Sequence, residues 1–435
     1  MKFIDTLKNI YKIEELRKRI LFTLSLLLIY RLGSFVTLPG VDHVALEEMT
    51  KHFATDESQS LLGLLNVFSG GAFSQASIFA LGVMPYITAS IIIQLLGIMV
   101  PYFRKMQREG ESGRRKMNQW TRFLTIVVLL LQGPAYLSSQ LINQYGVVDA
   151  ACDAPLFGIP HGQFIIPAMI VLIAGTMFIM WLGEKITDRG IGNGVSLIIM
   201  IGIVARLPMA LGAEWTRTNP IMFIVELIFL ALVFMLAIAI VQAVRRIPVQ
   251  YAKRIVGNKQ YGGVRQYIPL KLNAANVMPI IFAQALMFIP GLIWKDVPAW
   301  QFNGWAYNVL LVVMVIAFTF FYTAIIVNPQ MMADDMKRNG GFIPGVKPGK
   351  STVKYIDDVM TRITLPGSMF LALITILPSI AMAFHIDNSF AYFFGGTSLL
   401  IMVGVVLDTL KQVESYLLMR HYDGLMKTGR IQGRY

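Results

Sequence analysis

The stretch I-F-A-L-G-V-M-P-Y-I-T-A-S-I-I-I-Q-L-L-G-I-M, residues 78–99, contains no charged side chain. A helix needs about 20 apolar residues to cross a hydrocarbon core of roughly 30 Å, so this stretch predicts a transmembrane helix. Residues 302–330 form a second uncharged stretch of the same kind. Both stretches favour a chain whose apolar surface faces lipid.

The composition of the whole chain supports the same class of protein. The 435 residues are 55% hydrophobic and 14% charged, whereas soluble proteins carry about 25% charged residues. Cys152 is the only cysteine, which excludes an internal disulfide and a cysteine-based metal site. The basic, amphipathic stretch 1–19 precedes an apolar run long enough to span, so we expect no cleaved signal peptide. The sequence therefore predicts an integral membrane protein.

Ten apolar segments are predicted to cross the membrane and are called spans 1 to 10. They are residues 20–38, 75–100, 121–141, 163–183, 193–212, 220–243, 275–294, 306–328, 364–384 and 395–418. The connections alternate in basic content, since 33 of the 38 Lys and Arg residues fall on the side of the two termini. The positive-inside rule then places both termini in the cytoplasm. The longest cytoplasmic connections are loops 244–274 and 329–363, each too short for an independent domain.

Motifs of soluble enzymes are approached but not completed. R-G-I-G-N-G at 189–194 has no preceding strand and an incomplete G-x-G-x-x-G pattern, which favours a flexible turn between two spans. G-V-K-P-G-K-S at 345–351 has one residue too few between its glycines for a P-loop. The five histidines are scattered and form no zinc motif. We therefore expect no catalytic site, no metal and no cofactor.

Three charged residues fall inside the predicted spans, where such residues often mark ion or proton pathways. Arg31 and Glu226 lie toward the non-cytoplasmic ends of their spans, where their charges can reach the interface. Asp408 lies deeper and fits either a pathway residue or a helix-packing partner. An ion-coupled transporter usually needs more buried acids than these, so that class is disfavoured.

The connection between spans 1 and 2 contains a short apolar run, L-L-G-L-L-N-V-F at 61–68, followed by S-G-G at 69–71. The run is too short to cross a bilayer, and the glycines permit a sharp bend. Lipid cannot satisfy the free backbone groups at the ends of a half-helix. The run therefore predicts either an interfacial helix on the outer surface or a re-entrant segment that dips into a pore. The residues alone do not choose between these alternatives.

Six long motifs occur in order along the chain. They are F-S-G-G-A-F-S-Q-A-S-I-F-A-L-G-V-M-P-Y-I-T-A-S-I-I-I-Q-L-L (68–96), G-E-S-G-R-R-K (110–116), T-M-F-I-M-W-L-G-E-K-I-T-D-R-G-I-G-N-G (176–194), F-I-P-G-V-K-P-G (342–349), Y-I-D-D-V-M-T-R (355–362) and F-G-G-T-S-L-L-I (394–401). These motifs resemble the SecY family of protein-translocase subunits, in its bacterial form.

The resemblance implies an all-α integral membrane protein with ten transmembrane helices around an hourglass pore. The helices would form two inverted five-helix halves, residues 1–212 and 213–435. The implied function is a protein-conducting channel of the cytoplasmic membrane, which passes unfolded polypeptides and releases hydrophobic segments laterally into lipid. The resemblance also favours the re-entrant alternative, with residues 61–73 as a plug. The plug residues would be Leu61, Leu62, Leu64, Leu65, Asn66, Phe68, Gly70 and Gly71.

The resemblance also assigns a pore ring and a lateral gate. An apolar pore ring would consist of Val83, Ile87, Ile199, Ile281 and Ile401, which the residues alone do not distinguish from other aliphatics. Val83 stands where relatives usually have isoleucine, which predicts either a slightly wider ring or compensation by another residue. A lateral gate between spans 2–3 and 7–8 would contain Thr88, Gln94, Gln132 and Gln284, either as weak interhelical latches or as packing residues.

The implied partners follow from the same family. The ribosome and the motor ATPase SecA would dock on the two long loops through Arg246, Lys253, Arg254, Lys347 and Arg362. Lys347 stands where many relatives have arginine, and an ammonium cannot make the bidentate contact of a guanidinium. The small membrane subunits SecE and SecG, membrane lipid and the translocating polypeptide complete the expected partners.

Overall fold

The computed structural model of the chain describes residues 13–41, 69–137, 161–251, 254–256, 259–261, 265–275, 277–293, 304–384 and 386–427. Helices dominate these ranges. They are α1 Glu14–Gly33, α2 Met84–Met99, α3 Pro101–Arg108, α4 Glu111–Tyr136, α5 His161–Arg189, α6 Gly194–Arg217, α7 Pro220–Gln242, α8 Met278–Ile293, α9 Trp305–Ile326, α10 Pro329–Arg338, α11 Lys350–Ala383, α12 Asn388–Ala391 and α13 Gly396–Lys427. Each of the ten predicted spans overlaps one of these helices.

Several helices extend beyond their predicted spans at a charged end. Helix α4 begins at Glu111, whereas span 3 was predicted from residue 121, and α11 begins at Lys350, whereas span 9 was predicted from 364. Arg, Lys and Glu are good helix formers, so the backbone continues as a helix where the sequence is no longer apolar. Hydropathy therefore located the apolar part of each helix and missed its polar extension.

Among the described residues, six helices are long and apolar enough to cross a membrane. They are α5, α6, α7, α9 continuing into α10, α11 and α13. The bent pair α2–α3 counts as a seventh when it is taken as one span. The other predicted spans correspond to α1, α4 and α8, which are shorter or less apolar within the described ranges. The protein is a multi-pass helical membrane protein.

The chain divides into two compact units. The first contains Met1–Met209 with Val405–Tyr435, and the second contains Ala210–Gly404. Both divisions fall inside a helix, α6 for the first and α13 for the second. The two halves predicted from the sequence, 1–212 and 213–435, stay a prediction.

In the first unit, the R-G-I-G-N-G stretch forms the turn between α5 and α6, and side chains from three helices hold its backbone. The Ile191 amide donates to Thr23 Oγ1 of α1 at 3.1 Å. The Gly192 amide donates to Gln412 Oε1 of α13 at 2.7 Å, and the Gly194 amide donates to a hydroxyl of α5. The turn was predicted, but its flexibility was not the right expectation, because its amides are bonded to neighbouring helices.

The second unit contains a small antiparallel sheet that the sequence did not predict. Strand β1 pairs with β4 from Val244↔Lys271 to Gln250↔Arg265, and β5 adds to β1 at Gln250↔Phe342. The strands are β1 Val244–Tyr251, β2 Arg254–Val256, β3 Lys259–Tyr261, β4 Arg265–Lys271 and β5 Gly341–Phe342, with β2 pairing only with β3 among the described residues. The alternation of buried and exposed side chains along β1 is the two-residue period of a strand.

The sheet unites the two long loops into one substructure. Strand β1 comes from loop 244–274, and β5 comes from loop 329–363. Apolar side chains from both loops are buried together: Ile247, Val249, Leu270, Met336, Ile343, Ile356 and Met360. We call β1–β5, α10 and residues 350–363 of α11 the loop module. The sequence predicted two separate loops, whereas the structure has a module with its own apolar core.

Candidate pore and its supporting contacts

Residues 69–83 lead into α2 and form successive turns, although span 2 was predicted to start at residue 75. Gly70, Gly71 and Gly82 have φ angles of 66°, 95° and 54°, which glycine adopts without a steric penalty. Most side chains of this segment are buried. Because buried irregular backbone cannot bond to water or lipid, its polar groups need partners within the protein.

Those partners come from the segment that follows α1 and from α4. The Leu38 amide donates to the Ala76 carbonyl at 2.8 Å, and the hydroxyl of Tyr136 on α4 donates to the Phe73 carbonyl at 2.8 Å. The rings of Phe73 and Tyr136 are also in contact, with centroids 4.8 Å apart. The segment is thus fixed at its middle by hydrogen bonds and apolar packing.

The start of the segment, the turn Ser69–Gly71, lies against α1 and α6. Arg31 Nη1 of α1 donates to the Gly70 carbonyl at 2.8 Å. Gly70 packs so closely on α6 that a Cβ atom there would lie 2.8 Å from Gly202 Cα. Arg31 was predicted to lie where its charge can reach the interface, which stays a prediction; its guanidinium bonds to this turn.

Two predicted pore-ring residues are close in sequence to the glycines, Gly82 and Gly202, that pack on the same turn. Val83 directly follows Gly82, and a Cβ atom added at Gly82 would lie 3.8 Å from Ser69 Cβ. Ile199 precedes Gly202 by three residues on α6, so both lie on one face of that helix. Val83 and Ile199 are 7% and 8% exposed. Ile87, one turn further along α2, is partly exposed.

The other two predicted ring residues belong to the second unit. Ile401 on α13 is 7% exposed, and Ile281 on α8 is partly exposed. None of the five side chains is among the exposed large hydrophobic residues. A ring that combines all five stays a prediction.

The predicted gate residues make different hydrogen bonds. Thr88 Oγ1 donates to the Met84 carbonyl, and Gln94 Nε2 donates to Ser90 Oγ, so both bonds stay within α2. Gln284 on α8 accepts from Thr397 Oγ1 of α13 at 3.2 Å, which is an interhelical bond. Gln132 is exposed on α4. Their role as a gate stays a prediction, and among these four described side chains Gln284 is the one that bonds to another helix.

The basic residues predicted for docking lie on the loop module. Arg246 on β1, Lys347 between β5 and α11, and Arg362 on α11 are all exposed. Lys347 borders an open groove of about 380 Å³, and its carbonyl accepts from Thr352 Oγ1 at 3.0 Å. Arg254 lies in β2, and Lys253 lies outside the described residues. Exposed cations on an ordered scaffold suit an anionic partner.

Among the predicted plug residues, Gly70 and Gly71 are described and buried. Leu61, Leu62, Leu64, Leu65, Asn66 and Phe68 lie outside the described residues. The contact between Arg31 and Gly70 was missed by sequence reasoning. The only signal for it was a cation placed inside an apolar span.

A second polar cluster, also missed, supports the segment before α13. Glu214 at the end of α6 is 1% exposed, and its carboxylate accepts from the Asp387 amide at 2.9 Å and from the Thr218 hydroxyl. Arg217 pairs with the Asp387 carboxylate at 3.2 Å. Asp408 is exposed on α13, and Glu226 is 6% exposed instead of reaching the interface.

The chain is similar in sequence and in fold to known proteins. A profile of the SecY family matches residues 77–410. The protein translocase subunit SecY of Streptomyces galbus is 42% identical, covering 96% of this chain and 98% of that protein. The structure of a protein-conducting channel aligns with a TM-score of 0.59 at 17% identity, covering 91% of each chain. Sec61 in the canine ribosome–channel complex of the endoplasmic reticulum aligns with a TM-score of 0.57 at 16% identity, covering 91% of each chain.

The helices and the buried turns before α2 define a multi-pass membrane protein with the fold of the protein-conducting channels. The similarity in sequence to SecY translocase subunits extends over nearly the whole chain. The chain belongs to the SecY family.

Proposed function

We propose that this chain is the pore-forming subunit of a Sec protein-conducting channel. It passes unfolded polypeptides across the cytoplasmic membrane and releases hydrophobic segments sideways into lipid, without a catalytic step of its own. The observation that supports this most strongly is the 42% identity to a SecY translocase subunit over 96% of the chain. The apolar helices and the buried turn segment at 69–83 are what such a channel requires.

The seal of the closed channel is proposed to be an apolar constriction formed by Val83, Ile87, Ile199, Ile281 and Ile401. Water in a narrow apolar passage gains few hydrogen bonds, so the passage dries and resists ions. An extended polypeptide widens it by displacing side chains that are held by dispersion forces alone. Burial of three of the five side chains below 10% exposure supports this role.

Lateral release requires helices that separate at a small free-energy cost. The proposed gate carries Thr88, Gln94, Gln132 and Gln284. An interhelical hydrogen bond in a membrane contributes about 0.6–2 kcal/mol, and the bond between Thr397 and Gln284 is of this kind. Such a bond stabilises the resting state. It breaks when the transfer of a hydrophobic segment into lipid is more favourable in free energy than the bond.

The loop module is proposed to face the cytoplasm, together with both termini. The concentration of Lys and Arg residues in the connections on that side supports the orientation. Arg246, Lys347 and Arg362 are exposed there for docking, either to SecA or to a ribosome, whose RNA is polyanionic. We include SecE and SecG as companion membrane subunits.

The seal is tested by substituting one ring residue at a time with a polar residue of smaller or similar size. We expect Ile401→Asn and Ile281→Asn to raise the ion conductance of the resting channel several-fold, because an amide rehydrates the constriction. Signal-sequence selection should loosen in parallel. Both are measured with the complex isolated from membranes, in planar bilayers and in a translocation assay.

Val406→Asn is the matched control, because Val406 lies on the same helix as Ile401 and is 43% exposed. Its resting conductance should equal that of the unsubstituted protein. Unchanged conductance in both Ile401→Asn and Ile281→Asn would argue against the proposed constriction.

A further inference from the structure

We propose that Arg31 is a positioning residue of the channel seal. Its guanidinium holds the turn Ser69–Gly71 against α6, beside Val83 and Ile199. The inference rests on the proposed function, since it concerns the same seal, but it concerns a residue outside the ring. It predicts that the channel leaks ions when the Arg31 guanidinium is removed, although every ring residue is intact.

The first argument is the bond itself. Arg31 Nη1 donates to the Gly70 carbonyl at 2.8 Å, across 39 positions of sequence. A hydrogen bond from a charged donor is roughly twice as strong as one between neutral groups. The arginine is half-buried, so water competes for its donors less than at an open surface.

The second argument is that the guanidinium is held in place before it meets the turn. Its carbon lies 4.8 Å from the centre of the Phe35 ring, a cation–π distance. Nη1 also approaches Ser34 Oγ at 3.5 Å, while that hydroxyl donates to the Arg31 carbonyl at 2.6 Å. Because these contacts already fix the arginine side chain, it loses little conformational entropy when it donates to the Gly70 carbonyl.

The third argument is how the turn uses its carbonyls. Inside the turn and its continuation, the Ala72 amide donates to the Ser69 carbonyl and the Gln75 amide donates to the Gly71 carbonyl. The Gly70 carbonyl instead accepts its bond from α1. This bond therefore connects the turn to a membrane helix and leaves the turn's own folding to other groups.

The fourth argument is the place where the turn lies. Gly70 packs on Gly202 of α6 without room for a side chain, and the guanidinium of Arg206 lies 3.5 Å from where a Cβ of Gly71 would be. The turn is thus held between Arg31 on α1 and the face of α6 that carries Ile199. If Arg31 no longer holds it, the turn can leave α6 and open a space beside Val83 and Ile199.

Arg31→Gln tests the inference in the complex isolated from membranes. We expect the resting ion conductance in planar bilayers to rise on the order of tenfold, the factor that corresponds to losing one charge-assisted bond. Arg31→Lys keeps a charged donor and should leak less than Arg31→Gln. Lys18→Gln removes a cation on the same helix that is 72% exposed and pairs with Glu14, and it should leave the conductance unchanged.

Gly70→Ala tests the same contact from the other side. Its Cβ would lie 2.8 Å from Gly202 Cα and 3.0 Å from Arg31 Nη1, at a φ of 66°, so it should displace the turn and reproduce the leak. The thermal unfolding of every variant is measured in detergent, so that conductance is compared only between folded complexes.

Ile401→Asn separates the failure of this inference from the failure of the proposed function. If Ile401→Asn leaks while well-folded Arg31→Gln and Gly70→Ala stay closed, the role of Arg31 is wrong and the constriction stands. If none of the three leaks, the proposed constriction itself is wrong and the role of Arg31 is wrong with it. Leak in Arg31→Gln and Gly70→Ala, with partial rescue by Arg31→Lys, is the result we expect.

Discussion

Several polar side chains in this protein act on backbone groups that regular structure leaves without partners. Arg31 donates to the Gly70 carbonyl, Tyr136 donates to the Phe73 carbonyl, and Thr23 accepts from the Ile191 amide. Each of these backbone groups belongs to a buried residue in a turn between helices, so its partner has to come from the protein. A single side chain therefore contributes to keeping such a turn buried.

Thr23→Val isolates one such contact. Valine keeps the shape of the side chain but removes the oxygen that accepts from the Ile191 amide at 3.1 Å. A buried donor left without a partner costs about 1–3 kcal/mol, so we expect the free energy of unfolding to fall by that amount. Denaturant unfolding of the purified protein in detergent measures the change.

Ser25→Ala provides the control for this substitution. Ser25 lies on the same helix, is exposed, and donates to the Phe22 carbonyl of its own helix. Its loss should change the free energy of unfolding by no more than a few tenths of a kcal/mol. Equal destabilisation by the two variants would show that the Ile191 amide does not depend on Thr23.

At the scale of elements, the loop module shows why two loops of about 30 residues can be ordered in water. Their buried core combines three side chains from loop 244–274 with four from loop 329–363. Pairing of β1 with β5 brings Ile247 and Val249 from one loop together with Met336 and Ile343 from the other. Stability is therefore shared, and a change in one loop should be felt in the other.

Met336→Ala tests that coupling. Met336 on α10 is 5% exposed, and truncating a buried methionine typically costs about 2–5 kcal/mol. We expect faster hydrogen exchange at the amides of β1 and β4, although these strands lie roughly 70 to 90 positions earlier in the sequence. Exchange followed by mass spectrometry resolves these peptides.

Met331→Ala is the matched comparison, since Met331 lies on the same helix and is 58% exposed. Its peptides from β1 and β4 should exchange as in the unsubstituted protein. If the hydrogen-exchange rate of the β1 amides were unchanged in Met336→Ala, the two loops would be ordered independently.

At the scale of the whole molecule, the sequence predicted the features that local composition determines. All ten predicted spans overlap a helix, because an apolar run of about 20 residues is itself the physical requirement for crossing lipid. The sheet was missed because β1 and β5 pair across about 90 positions. No local pattern in loop 329–363 indicates that β5 pairs with β1. The ring residues came from the family resemblance, since an apolar helix has aliphatic side chains on every face. The contact of Arg31 depends on where Gly70 lies in space, which hydropathy does not record.

The orientation of the chain is the expectation that the sequence supports most directly, and one cysteine makes it testable. Cys152→Ala leaves no other thiol, so a single new cysteine can be labelled with a membrane-impermeant maleimide. Asn339→Cys in the loop module and Thr216→Cys near the end of α6 are both at exposed positions. The positive-inside rule predicts that position 339 reacts only from the cytoplasmic side and position 216 only from the other. Reaction of both from one side would mean that an even number of membrane crossings separates them, whereas the predicted spans 6, 7 and 8 require an odd number. The inverted orientation of the second half would then be wrong, and with it the way the aliphatic residues of α8 and α13 are proposed to join those of α2 and α6.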